Sequence, residues 1–107
     1  LAASPTLGRY WQFGALTCEP WPFPVAKHPA DYSAKGSKPI LVIGTTGDPA
    51  TPYTQAVAVA DHILSNGHLV TYNGEGHTAY GRSNECIANT VDNYFIKGSV
   101  PAADPNC

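Results

Sequence analysis

The chain has 107 residues, of which 43% are hydrophobic and 13% charged, with a net charge of −2. That balance excludes a disordered, collagen-like or highly charged polypeptide and leaves one small domain, or a piece of one, with few surface charges. Six Lys and Arg scattered along an acidic chain offer no attraction to phosphate backbones or anionic lipid, so nucleic acid is not an expected partner.

No run approaches the roughly 20 apolar residues that a spanning helix needs. The longest are Ile40-Leu41-Val42-Ile43 and Ala56-Val57-Ala58-Val59-Ala60, so no membrane span is expected. The opening Leu1-Ala2-Ala3-Ser4 is neither a signal peptide nor a natural start, and reads as the interior of a longer gene product.

Residues 1–37 form a lead-in segment in which Tyr10, Trp11, Phe13, Trp21 and Phe23 are interrupted by Pro20, Pro22, Pro24 and Pro29. The pattern predicts a short helix over 8–18 followed by irregular chain. Large aromatics are mostly packing residues, so these read as packing onto a larger domain rather than as a substrate or partner surface.

From residue 38 the pattern is regular. Pro39-Ile40-Leu41-Val42-Ile43-Gly44 is apolar without alternation, which is how a strand covered on both faces of a parallel sheet reads. Thr51 is then a suitable N-cap and Pro52 a suitable first helical residue, and Ala56, Val59, Ala60, Ile63 and Leu64 share one helical face until Asn66-Gly67. Residues 68–72 predict a second strand that runs into the glycine loop Asn73-Gly74-Glu75-Gly76-His77. A last helix is expected over 83–97, with Ile87, Val91, Tyr94 and Phe95 facing the sheet and Gly98 and Pro101 as stop signals. The order strand, helix, strand, helix predicts an α/β fold with parallel strands joined by a crossover.

Cys18, Cys86 and Cys107 contain no C-x-x-C pair, so disulfides are expected and a metal site is not. Cys107 would anchor a tail otherwise prone to fray, with Cys86 as its foremost candidate partner and Cys18 left over. Residues 86–97 rise roughly 17 Å as a helix, and the last ten residues extend about 33 Å, so the tail can double back to Cys86.

Asp48 follows the first strand by four residues, and His77 closes the loop after the second. Both therefore lie beyond the carboxyl ends of adjacent parallel strands, where open α/β sheets place their active sites. A carboxylate beside a histidine fixes its tautomer and stabilises the imidazolium formed when the ring takes a proton from a nucleophile. Each residue alone also has a bland reading, a turn Asp and an exposed loop His; the pairing across consecutive strands favours catalysis. Glu75 is a candidate partner for a substrate amino terminus but reads as a solvated loop acid, and Tyr53 and Tyr80 are possible pocket residues. His28, His62 and His68 have no metal-ligand spacing.

G-x-x-D-x-x-T-P after one strand and G-x-G-H after the next resemble the acid and histidine segments of the α/β-hydrolase superfamily, whose order is Ser, Asp or Glu, His. Residues 38–44, the turn 48–53, residues 74–77, Cys86 and the ending 98–107 resemble more narrowly the C-terminal domain of the TAP-like family, which are secreted actinobacterial serine peptidases including tripeptidyl aminopeptidases. Cys18 with Trp21-Pro22 resembles the segment just before it. The resemblance implies that this is the C-terminal βαβα portion of such a hydrolase. It also implies catalytic Asp48 and His77, a bond between Cys86 and Cys107, a peptide substrate, no cofactor, and a secreted or cell-envelope location.

One departure qualifies this. None of Ser4, Ser33, Ser37, Ser65, Ser83 and Ser99 stands in a G-x-S-x-G elbow, so the chain alone is expected to be inactive and to complete a serine on an upstream portion. An esterase or other hydrolase of the same fold is the near alternative, since fold does not name the substrate. A non-catalytic interaction module is the distant one. Isolated parallel strands also expose an edge and apolar surface, so self-association of the chain or a retained partner chain is expected.

Overall fold

The computed structural model describes residues 31–107 together with positions 5, 6, 8, 20, 22 and 23. The helix expected over 8–18, Cys18, His28 and most of the aromatic lead-in lie outside the described residues. The regular elements are strand β1 (Ile40–Gly47), helix α1 (Tyr53–Ala58) continued by a π-helical turn (Val59–Ile63), strand β2 (Gly67–Glu75) and helix α2 (Glu85–Lys97). The two strands pair in parallel, from Ile40 opposite Gly67 to Thr45 opposite Tyr72, and the architecture is α/β.

Alternation along the strands assigns the helices to opposite faces. Leu41, Ile43, Val70 and Tyr72 pack with Ile87 and Val91 of α2, and Val70 and Ile87 are fully buried at the centre of this cluster. On the other face Gly44 and Gly67 let α1 and its π turn approach the strand backbone. A Cβ on Gly44 would fall 2.7 Å from the Tyr53 ring, and one on Gly67 would fall 2.4 Å from the Ala60 carbonyl oxygen. Tyr53 crosses that face to share a 2.7 Å hydrogen bond with the Thr71 hydroxyl, so it is a packing residue.

Several elements differ from the sequence expectation, each for a local reason. β1 runs three residues past Gly44, because Thr45 and Thr46 are β-branched and Thr45 is buried. Thr51 does not cap α1: Pro52 holds the cap position without a side-chain bond, while the Thr51 hydroxyl turns back to Asp48. The helix widens at Val59, where the Leu64 N–H reaches the Val59 carbonyl at 3.0 Å, and this wider turn leaves Ile63 exposed. β2 absorbs Asn73, Gly74 and Glu75, which were expected as loop. After an irregularity at Thr46, Gly47 pairs with Glu75 while the Thr46 hydroxyl bonds Gly74.

α2 starts at Glu85 rather than residue 83 because the Asn84 side chain caps it, accepting the Ile87 N–H at 3.1 Å. Gly98, left-handed at φ 65°, ends it. Tyr94 is half-buried and its hydroxyl donates to the Pro39 carbonyl at 2.8 Å. Phe95, expected inward, is 76% exposed, since eight residues carry it about 80° around the helix from Ile87.

The outer edge of β2 is covered by the C-terminal tail. Thr71 N–H donates to the Pro105 carbonyl at 2.9 Å and Cys107 N–H returns a bond to the Thr71 carbonyl at 2.8 Å. Cys107 is disulfide-bonded to Cys86, with Cα atoms 5.7 Å apart, and the Asn84 amide donates to the Cys107 carbonyl at 2.9 Å. No described strand lies on the other side of β1. Among the described residues no helix is long and apolar enough to cross a membrane.

Candidate active site

Both strands end at the same border of the sheet, and the chain turns tightly after each. After β1 the Asp48 N–H donates to the Thr45 carbonyl at 3.3 Å; after β2 the Gly76 N–H donates to the Gly47 carbonyl at 3.3 Å. Gly76 has φ 109°, a conformation that glycine adopts freely, and the turn it makes directs His77 back over β1.

There the structure brings Asp48 and His77 together. His77 Nδ1 lies 3.0 Å from each carboxylate oxygen, with the Asp48 side chain 4% exposed and the His77 side chain 52% exposed. The carboxylate has four further donors. Its Oδ1 accepts the N–H of Ala50 at 2.8 Å and of Thr51 at 2.9 Å; its Oδ2 accepts the Thr51 hydroxyl at 2.9 Å and the Thr78 N–H at 3.3 Å.

Those donors, the Thr51 N–H foremost, then the Ala50 N–H, His77 and the Thr51 hydroxyl, hold Asp48 well below its ordinary value of 3.8 although burial pulls the other way. Asp48 is therefore a carboxylate throughout the neutral range. An ionised carboxylate only accepts hydrogen bonds, so Nδ1 of His77 carries a proton and the lone pair of the neutral ring is on Nε2. The acceptor nitrogen of the ring is thus the one turned away from Asp48.

The segment after His77 is anchored independently. Thr78 stands at φ 67°, a left-handed conformation that a β-branched residue rarely adopts, and it aims its N–H at Asp48. Ala79 is buried in the α2-side core, and the Tyr80 hydroxyl donates to Asp92 of α2 at 2.7 Å. Thr51 and Thr78 are partners of Asp48 that the sequence pattern does not announce; a Thr three residues after a turn Asp is the available signal, and its position equally fits a helix cap.

Beside the pair is an open hollow of about 370 Å³, bordered by Val42, Ile43, Gly44 and Thr45, by Asp48, and by Tyr80. Residues from both faces of β1 border it and none from β2 does, which places it along the edge of β1 that has no described partner strand. Glu75 is exposed, and its carboxylate covers Gly47 so closely that a Cβ there would fall 2.3 Å from Oε2. His62 is exposed and His68 is half-buried, 3.3 Å from the Asn66 amide oxygen. Among the described residues no group of three His, Cys, Asp or Glu is placed to hold a metal ion.

Comparison with known proteins extends this picture. Residues 4–107 match the family model described as TAP-like protein, an α/β-hydrolase family. The chain is 38% identical over 91 residues to the serine protease Hip1 of Mycobacterium tuberculosis, covering 85% of this chain and 17% of that protein. It is 34% identical over 90 residues to carboxylesterase B of the same organism, covering 84% and 17%. To the tripeptidyl aminopeptidase of Streptomyces lividans it is 29% identical over 92 residues, covering 86% and 17%. It thus spans less than a fifth of the length of these relatives.

Proposed function

The chain belongs to the TAP-like family of α/β-hydrolases, and from that premise we propose that it is the acid–base portion of a secreted serine peptidase. Asp48 orients, His77 transfers the proton, and a serine of an upstream portion is the nucleophile. The observation that carries this reading is His77 Nδ1 centred on the buried Asp48 carboxylate at 3.0 Å, with the His77 side chain 52% exposed.

The mechanism follows from that arrangement. A serine hydroxyl held against Nε2 gives its proton to His77 as its oxygen attacks the scissile carbonyl, and the imidazolium is stabilised by Asp48. His77 then protonates the leaving amine, and the acyl-enzyme is hydrolysed by a water that His77 activates in the same way. Residues 38–107 supply this acid–base unit, and residues 1–37 lead into it. Strands of the upstream portion continue the sheet from the edge of β1 that has no described partner. The Cys86–Cys107 bond supports an oxidising, extracytoplasmic location.

The relative named carboxylesterase B favours a second reading, in which the acyl group is carried by an ester. Both readings share the acyl-enzyme. The test is hydrolysis of free-amino tripeptide anilides and of short-chain aryl esters by the full-length protein, with and without His77→Ala. A loss of about 10³-fold or more in kcat on His77→Ala is expected, and unaffected activity would overturn the assignment. The preferred substrate decides between peptidase and esterase.

A further inference from the structure

We propose that Thr51 is a positioning residue of the acid–base pair, one that fixes the rotation of the Asp48 carboxylate so that His77 stays centred on both oxygens. This deepens the reading above and rests on it.

A carboxylate on a short side chain turns easily about its last bond, where the torsional wells are broad and two-fold. A donor to one oxygen limits that turning weakly; donors from one rigid residue to both oxygens stop it. Thr51 is the residue that contacts both, through its N–H to Oδ1 at 2.9 Å and its hydroxyl to Oδ2 at 2.9 Å. Ala50 reaches Oδ1 alone, and Thr78 reaches Oδ2 alone at the longer distance of 3.3 Å. Thr51 sits in the turn between β1 and α1, on the same side of the pair as Asp48.

The equal 3.0 Å separations of Nδ1 from Oδ1 and Oδ2 are the result of this clamp. If Oδ2 loses its hydroxyl donor, it keeps only the longer bond from the Thr78 N–H at 3.3 Å, the carboxylate is held mainly through Oδ1 and can swing, and the Nδ1–H loses its centred acceptor. The tautomer that presents the Nε2 lone pair is then less favoured, and the imidazolium less stabilised, without a change to either catalytic residue. Thr51 is exposed, so the hydroxyl contributes little to the core and its removal leaves the fold intact.

The experiment compares Thr51→Val, Thr51→Ala and Thr51→Ser in the full-length protein. Its first readout is the downfield Nδ1–H proton signal of His77 in histidine-labelled protein, assigned with His77→Gln. Its second is steady-state hydrolysis. Thr51→Val and Thr51→Ala are expected to broaden or lose the Nδ1–H signal and to lower kcat by roughly tenfold at unchanged KM, the lower part of the range for one hydrogen bond to a charged group. Thr51→Ser is expected to recover the signal and most of the rate. An unaltered Nδ1–H signal in both hydroxyl-less variants, or a Ser variant as impaired as the Val variant, overturns the proposal. Full activity after His77→Ala instead overturns the triad reading, so the two failures are distinguishable.

Discussion

His77 Nδ1 stands 3.0 Å from both oxygens of Asp48, a residue 29 positions earlier in the chain. The parallel register of β1 and β2 creates that meeting, since it sets both strand ends at one border. An amide at position 48 would present an N–H₂ group to the ring and favour the opposite tautomer. Asp48→Asn in the full-length protein is therefore expected to lower kcat by about 10⁴-fold with little change in KM. A loss below about tenfold would show that the carboxylate has no such role.

The same carboxylate makes stability sensitive to acid. Its donors depress its pKa in the folded chain below the ordinary 3.8, so just below that value the unfolded chain binds the proton more readily than the folded one. The contribution is fully present above about pH 4 and is lost as pH falls toward the depressed folded value. Urea midpoints measured from pH 6 down to pH 2 should decline less steeply in Asp48→Asn than in the parent chain. Parallel declines would remove Asp48 from the acid response.

Thr78 bears a left-handed backbone at φ 67°. That conformation costs an L-residue roughly 1–2 kcal/mol, part of which glycine recovers at the expense of unfolded-state entropy. Thr78→Gly is expected to raise stability by about 1 kcal/mol in urea unfolding. A lower midpoint would mean that the side chain contributes packing beyond its backbone strain.

The bond between Cys86 and Cys107 closes a loop with a sequence separation of 21. Loop entropy for that span gives about 3 kcal/mol. Replacing both cysteines by serine should lower stability by that order, and the Thr71 amide, which donates to Pro105, should exchange with solvent much faster. Unchanged protection of Thr71 would mean that the tail holds without the bond.

Gly44 and Gly67 are the close approaches of strand to helix. Gly67→Ala puts a methyl 2.4 Å from a backbone carbonyl that cannot give way, and Gly44→Ala puts one against a Tyr53 ring. Overpacking of this kind costs about 1–3 kcal/mol, and Gly67→Ala is expected to cost more. Thermal melts of the two variants rank them.

What the residues disclosed in advance, and what they did not, separates along physical lines. The apolar run 40–43, the Asn66-Gly67 stop and the Ile87, Val91, Tyr94 stripe are periodic or punctuating signals, and they located the four regular elements among the described residues. Boundaries moved where side-chain hydrogen bonds intervened: the Thr46 hydroxyl bonds Gly74 across the extended end of β2, and Asp48, three residues away, took the Thr51 hydroxyl expected at a cap. Asp48 and His77 were legible as a pair because each followed a strand. The donors around Asp48 were not, since three of the four are backbone N–H groups whose direction depends on turn geometry.

The tail along β2 gives the sheet a finished border on one side, while no described strand covers β1 on the other. The hollow beside the pair is bordered by β1 and not by β2, so it lies toward that second side. His77 follows the bordered strand and Asp48 the other. On the proposed reading the acid–base pair and its nucleophile belong to different portions of one polypeptide, and portions produced separately are expected to regain activity only on contact.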